Sequence, residues 1–389
     1  MIANYSSSIK LLIFDITIPT EGIGKSLTIF YPLKTTNITI SERTILIFLL
    51  SLWSIVQYGL FRYYGFVTSF EGKKYQYDAL SFLATEKLSD LRFFYSAYTL
   101  IIALFIKLQL NLKLIIILQL IINLWATFRF YRLAQTLFKQ PLIAALSTSI
   151  LILSFPIQQW NFYLYTESLF TSLTILFAYH ILHFKFTKTV DYLTISILLF
   201  LLSFLRPTGI LLAIPLIIYL FLNRNQLKLH KLQSAIPALT IAILITFNIV
   251  YNTGHLIEYT HLALQKSWIV WGEKYFQHNH NSNSFLGFME IIILRSLYFF
   301  SMLRIHYSNF HNLLLMSFYP IYLFALAGIY PLWKSSKTVF FFIVTILIVF
   351  SSFSILTFIN WQGRFIVPIL PYIILLAAYG IRSIFRLED

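Results

Sequence analysis

EGKKYQYDALSFLATEKLSDLRFFYSAY, residues 71–98, is a long polar stretch in a chain otherwise dominated by apolar runs. It comes directly after the first such run, at about 44–61, and its reading decides how the chain is threaded through a membrane. If the apolar residues that continue it, about 95–110, form a span, every later loop changes side. If they lie at the surface, residues 62–111 become one long loop on a single face.

Hydrophobic residues make up 58% of the 389 and charged residues only 11%, against roughly 25% charged in ordinary globular chains. Several runs reach the roughly 17–25 apolar residues a spanning helix needs. They are rich in Leu, Ile and Phe without alternation, so they read as helices rather than barrel strands. The fold class expected is all-α, a polytopic transmembrane helical bundle. The spans expected are 44–61, 112–128, 141–157, 167–184, 190–204, 209–222, 235–251, 312–333, 338–359 and 365–381. Two further stretches, 95–110 and 291–303, are short or interrupted by charge, the second by Arg295.

Charge decides between the two threadings. The chain carries 29 basic and 14 acidic residues, a net +15, and basic residues orient spans by staying in short cytoplasmic loops. With neither ambiguous stretch crossing, Arg129, Arg132, Lys139, Lys185, Lys188, Arg224, Lys228 and Lys231 all fall inside, and only Arg206 occupies a short outer loop. With both crossing, all of these bases land outside. The first threading gives about ten spans with both termini inside and makes 95–110 and 291–303 interfacial or re-entrant helices. Two long outer segments result, about 62–111 and 252–311, and long ordered loops commonly carry function. Residues 44–389 read as one integral membrane domain. Residues 1–43 read as a cytoplasmic or interfacial extension, since Ile9–Ile18 is broken by Lys10 and Asp15 and lacks the order of a signal peptide.

Other classes drop out. The bases flank spans rather than forming a patch, which argues against nucleic acid as a partner. With no cysteine there are no disulfides, thiolate metal sites or cysteine nucleophiles. Gly22-Ile23-Gly24-Lys25-Ser26 lacks phosphate-loop spacing. A transporter or flippase of a lipid-linked glycan would show inverted repeats and mid-membrane charge; no repeat is evident and the charges gather on one face. A polysaccharide polymerase or ligase is a further alternative.

The candidate residues lie on that outer face. Asp78, ahead of an apolar stripe, reads either as a helix cap or as a general base for a hydroxyl. Glu71, Glu86 and Asp90 read as solvated acids paired with nearby lysines or Arg92. Tyr95 and Tyr98 read as interface anchors or substrate contacts. Glu167, opening the run at 167–184, either favours the positive helix end or marks a site, because ionisable groups near hydrocarbon are costly. Arg206 in Leu205-Arg206-Pro207-Thr208-Gly209 either snorkels to headgroups or holds an anion through its planar fork. Arg364 lies between two apolar spans, and Pro368 and Pro371 are expected to kink the last one. In the second outer segment Lys266, Trp268 and Trp271 read as substrate contacts or anchors. Glu258 with His261, and His278 with His280, are weak metal pairs.

Taken in order, these features resemble a family: an acid in the first outer loop, Tyr165-Thr166-Glu167-Ser168-Leu169-Phe170, Leu205-Arg206-Pro207-Thr208-Gly209, a long outer loop, then Trp361-Gln362-Gly363-Arg364-Phe365 before a proline-containing last helix. The order is similar to membrane glycosyltransferases of the GT-C fold that use polyprenyl-phosphate sugars, including bacterial dolichyl-phosphate-mannose-type enzymes. The resemblance covers most of the chain from residue 44. It implies Asp78 as catalytic base, and Arg206 and Arg364 on the lipid phosphate. It also implies a glycan, lipid or protein acceptor, inversion at the sugar, and a site on the outer face of a membrane, here expected to be a bacterial inner membrane. Many members carry a second acid beside the base; here Tyr77 and Ala79 flank Asp78, so no metal site is assigned and a divalent cation is left as an open option.

Overall fold

Ser41 starts the first helix. Its hydroxyl accepts from the Thr44 amide at 3.1 Å, and Glu42 sits at the positive helix end. From there α1 (Glu42–Tyr64) runs uncharged from Thr44 to Phe61. The computed structural model describes residues 41–68, 71–88, 94–183, 188–223, 237, 239–246, 268–271, 274–277, 284–304, 307–357 and 363–385.

The chain continues through α2 (Glu71–Thr85), α3 (Ser96–Lys107), α4 (Lys113–Phe138), α5 (Pro141–Leu153) and a short α6 (Phe155–Gln158) that passes into a 3-10 turn, Gln159–Phe162. Next come α7 (Thr166–His183), α8 (Thr189–Leu205), a 3-10 turn (Pro207–Leu212) and α9 (Ala213–Leu222). After two short strands come α10 (Phe285–Phe300), α11 (Asn309–Met316), α12 (Tyr319–Ser335), α13 (Lys337–Thr357) and α14 (Leu370–Ile384). The strands, Trp268–Trp271 and Lys274–Gln277, pair antiparallel with Trp268 opposite Gln277. Apart from these strands, the described residues form helices and the short turns and loops that join them.

Among the described residues, five helices are long and apolar enough to cross a membrane: Glu42–Tyr64, Lys113–Phe138, Asn309–Ser335, Lys337–Thr357 and Val367–Ile384. The expected span at 141–157 is a helix pair bent by 57° at Ser154, a sixth if the pair counts as one. The expected spans at 190–204 and 209–222 are helices of shorter length. That at 167–184 is α7, whose Glu167, His180 and His183 dilute its apolarity. Its side chains are almost wholly buried, and a helix enclosed by other helices need not be apolar to suit lipid. Of 235–251, the described residues 237 and 239–246 are helical.

Contacts between helices define two ends. At one, Arg132 pairs with Glu42, Thr136 meets His183 at 2.9 Å, and Arg382 donates to the Phe138 carbonyl at 3.4 Å. At the other, Tyr64 donates to Gln159 at 3.3 Å, and the strand-like bridge between Val67 and Tyr163 ties the exit of α1 to the approach to α7. Arg43, Arg129, Arg132 and Arg382 therefore share one end, Arg129 and Arg132 being two of the bases used in the charge argument, while Arg206 and Arg364 belong to the opposite end.

Between the ends lies an amide network. Gln57 donates to Gln158 at 2.9 Å, and Asn161 donates to both Gln57 (3.2 Å) and Gln158 (2.9 Å). Ser168 donates to Asn161 at 2.6 Å. All four are buried, and buried amides are stable only when partnered. Together they hold the α5–α6 bend against α1 and the first turn of α7. Gln158→Leu leaves Gln57 and Asn161 short of an acceptor, and is expected to cost about 1–3 kcal/mol. The check is a lowered unfolding midpoint in detergent.

Three expectations change. The polar stretch becomes helical at Glu71, so Asp78 lies in the middle of α2 and the capping role is excluded. Tyr98 is fully buried and donates to Gln119 at 2.8 Å. It satisfies a buried amide on α4 and is not a headgroup anchor, so α3 is a bundle element packed on α2, α4 and α8. Pro368 falls in a 3-10 turn and Pro371 in the first turn of α14, where a missing N–H costs nothing; they start the last helix instead of kinking it. The stretch at 291–303 lies largely within α10, where Arg295 is buried and donates to the Ile355 carbonyl at 3.0 Å, near the C-terminal end of α13.

Candidate functional site

Five chain segments meet at the end opposite the basic cluster. Tyr163 and Leu164 are held against Val67 by two backbone bonds of 2.8 Å, Val67 N–H to Phe162 and Leu164 N–H to Val67. This places the start of α2 beside the start of α7. The turn after α8 comes third. Pro207 supplies the fixed φ of a first helical position, and Gly209 lies so close to α8 that a Cβ there would overlap the Leu202 carbonyl. The tight reversal brings Arg206 inward, 3% exposed. The fourth segment is 363–366, leading into α14, and the fifth is Tyr95, just before α3.

A cavity of about 130 Å³ lies where they meet. Glu71, Lys74 and Tyr75 from α2 line one side, and Tyr95, Thr166, Glu167, Arg206 and Arg364 the rest. Glu167, 2% exposed, is its centre. Its Oε1 lies 3.2 Å from a terminal nitrogen of Arg206 and 3.7 Å from Nε of Arg364. Arg364 also reaches Glu71 at 3.7 Å, and Glu71 pairs with Lys74 at 2.8 Å. The Phe365 ring lies within cation–π range of both guanidiniums, 5.1 Å from Arg206 and 5.3 Å from Arg364.

The charges do not balance. Three cations, Lys74, Arg206 and Arg364, share the lining with two carboxylates. Nε of Arg206, Nε of Arg364, Oε2 of Glu167 and Oγ1 of Thr166 are buried without hydrogen-bond partners. Unpaired N–H groups on a buried guanidinium are costly, and an anion offering several oxygens would satisfy them. Burial opposes the Arg364 charge, but Glu167 and Glu71 more than offset this and its pKa is raised. Burial also lifts Tyr75 and Tyr95 above the ordinary phenol range, so both hydroxyls stay protonated and able to donate.

Of the residues singled out in the sequence, Tyr95, Glu167, Arg206 and Arg364 come together here. Asp78 does not line the cavity. It is buried two turns further along α2, on the same helix face as Glu71 and Tyr75. Tyr98 is one layer deeper, its ring edge-on to Tyr75 at 5.2 Å. Lys266, Glu258, His261, His278 and His280 lie outside the described residues, and Trp268 is described only as the first residue of its strand. Glu71, Lys74, Tyr75 and Thr166 are the lining residues that sequence reasoning did not select. The i, i+7 spacing of Glu71 and Asp78 was the available signal. Among the described residues no three potential ligands gather as a metal site.

No family model matches this chain, and a search of curated proteins finds no match.

Proposed function

We propose that the protein is an integral membrane glycosyltransferase of the GT-C type, with about ten spans, that moves a sugar from a polyprenyl-phosphate donor to an acceptor hydroxyl. The observation that carries this reading is the convergence of Arg206 and Arg364 on Glu167 in a small cavity with surplus cationic N–H groups. Such a cavity at one end of a bundle suits an amphiphilic donor whose phosphate sits at headgroup depth and whose tail lies in lipid. Placed outside by the charge argument, it faces the periplasmic or extracytoplasmic side.

In this reading the leaving group is the lipid phosphate. Arg206 and Arg364 stabilise the charge that develops on it as the sugar–oxygen bond breaks. A carboxylate on α2 takes the proton of the acceptor hydroxyl, which attacks the anomeric carbon from the face opposite the phosphate and inverts it. The resemblance points to Asp78 as that base, whereas position in the cavity points to Glu71. Charge kept to the two ends, with uncharged amides between them, favours an enzyme over a transporter.

The test offers radiolabelled polyprenyl-phosphate sugars to the purified protein in detergent with candidate acceptors. Label moving to the acceptor supports the reading. Its absence across hexose and pentose donors, with the protein shown to be folded, would overturn it. Arg364→Gln, at a partly exposed position, is expected to lower kcat by about 10²–10³-fold without loss of folded protein. Asp78→Asn and Glu71→Gln then assign the base, since only removal of the true base abolishes turnover while donor binding is kept.

A further inference from the structure

We infer that the end opposite the Glu167 cavity carries a binding site for an anionic phospholipid, in the groove between α1 and α4. The two helices run antiparallel side by side, joined by the Glu42–Arg132 pair at this end and by Trp53 donating to Asn123 at 2.9 Å further along. Between those ties a groove of about 420 Å³ opens. Arg43, Arg129 and Arg132 line one part, and Leu46, Leu50 and Trp125 the other.

The charge in the groove is unbalanced. Glu42 neutralises Arg132. Arg129 leans on two ring faces, Trp125 at 6.0 Å and Tyr179 at 5.0 Å, and donates to the Tyr179 hydroxyl at 3.1 Å. Neither it nor Arg43 pairs with a carboxylate among the described residues. Two guanidinium charges therefore face a groove whose remaining wall is hydrocarbon. That wall is open: Ile47 is 56% exposed and Trp125 47%, on two of the helices long and apolar enough to cross a membrane.

This combination selects one occupant. A soluble phosphate would meet the arginines but gain nothing from Leu46, Leu50 and Trp125. A zwitterionic lipid would fill the apolar wall but bring its own cation to the arginines. An anionic phospholipid does both, with its phosphate at Arg43 and Arg129 and its acyl chain along the wall. Arg43 lies in the first turn of α1, where the helix would leave the hydrocarbon, and basic pockets between spanning helices at that depth suit anionic headgroups. The site is independent of the proposed transferase reaction.

Native mass spectrometry of the detergent-purified protein, given equal phosphatidylglycerol and phosphatidylcholine, tests the inference. Phosphatidylglycerol is expected to be retained preferentially. Arg43→Gln should reduce that preference about fivefold, and Arg43→Gln/Arg129→Gln should remove it, since each base near a membrane surface contributes a factor of that size. Ile47→Trp should block retention with every charge in place. Should the loss of Arg129 compromise folding through Tyr179, Arg43→Gln and Ile47→Trp, both at exposed positions, carry the test. Equal retention of the two lipids, or a preference unchanged in Arg43→Gln and Ile47→Trp, overturns the site. Displacement by millimolar inorganic phosphate would show a soluble-anion site and overturns the lipid assignment.

Discussion

Glu167→Gln is expected to destabilise the protein by about 3–5 kcal/mol, because it strands the buried charge of Arg206 as well as weakening the hold on Arg364. Glu167 is 2% exposed and Arg206 3%, so neither exchanges its partner for water when the other is removed. With Gln at 167, the guanidinium of Arg206 keeps its charge, and its nearest carboxylate is gone. Phe170 and Phe365, at 5.6 and 5.1 Å, offer ring faces worth about 2 kcal/mol to a desolvated cation, less than the lost carboxylate. The double variant Glu167→Gln/Arg206→Gln removes the stranded charge as well and is expected to be more stable than Glu167→Gln alone. A double-mutant cycle of chemical unfolding in detergent measures this, with a coupling of about 0.5–3 kcal/mol expected. If the two losses simply add, the pair is not the centre of the site. The prediction also separates stability from chemistry: an inactive but recovered double variant means the pair serves function at a cost to folding.

The site was partly legible because charge in an apolar chain is conspicuous. Glu167, Arg206 and Arg364 each stood out in their own segment, and each admitted a local explanation as cap or snorkelling side chain. Their convergence was not legible, since it depends on a tight turn at Gly209 and a two-bond bridge at Val67, neither of which leaves a periodic trace. Glu71 was missed for a related reason. Beside Lys73 and Lys74 it has the look of a solvated acid, and only tertiary placement turns it towards Arg364. Asp78 shows the opposite error of register: the apolar stripe begins at Ala79, eight residues after the helix itself starts at Glu71, which makes a mid-helix residue resemble a cap. The count of spans diverged because hydropathy records how apolar a segment is and not what it faces. The α7 helix, polar but enclosed, and α8, apolar but short, lie on either side of that distinction.

A substitution far from any charge is expected to be as damaging as Glu167→Gln. Gly328 on α12 and Gly380 on α14 face each other where the two helices cross. A Cβ on Gly328 would overlap the Leu376 carbonyl, and one on Gly380 would overlap the Phe324 carbonyl. These are backbone atoms, which cannot rotate out of the way as a flexible side chain can. Small residues at such crossings let backbones approach closely, and in lipid this packing substitutes for the absent hydrophobic drive between helices. Gly328→Ala or Gly380→Ala must therefore push the helices apart along the length of their contact, at a cost of about 3 kcal/mol or more. The damage would reach the site, since α14 begins six residues after Arg364 and a displaced α14 moves that guanidinium relative to Glu167. Thermal unfolding in detergent, read beside anion-induced stabilisation, checks both parts. A lowered midpoint is expected together with a weakened response to phosphate. Ala325→Gly, on the same buried face of α12, is the control: it adds no atom at the crossing and is expected to cost only about 1 kcal/mol from helix propensity. An alanine at 328 or 380 that left the midpoint unchanged would mean that the two helices are not held this closely.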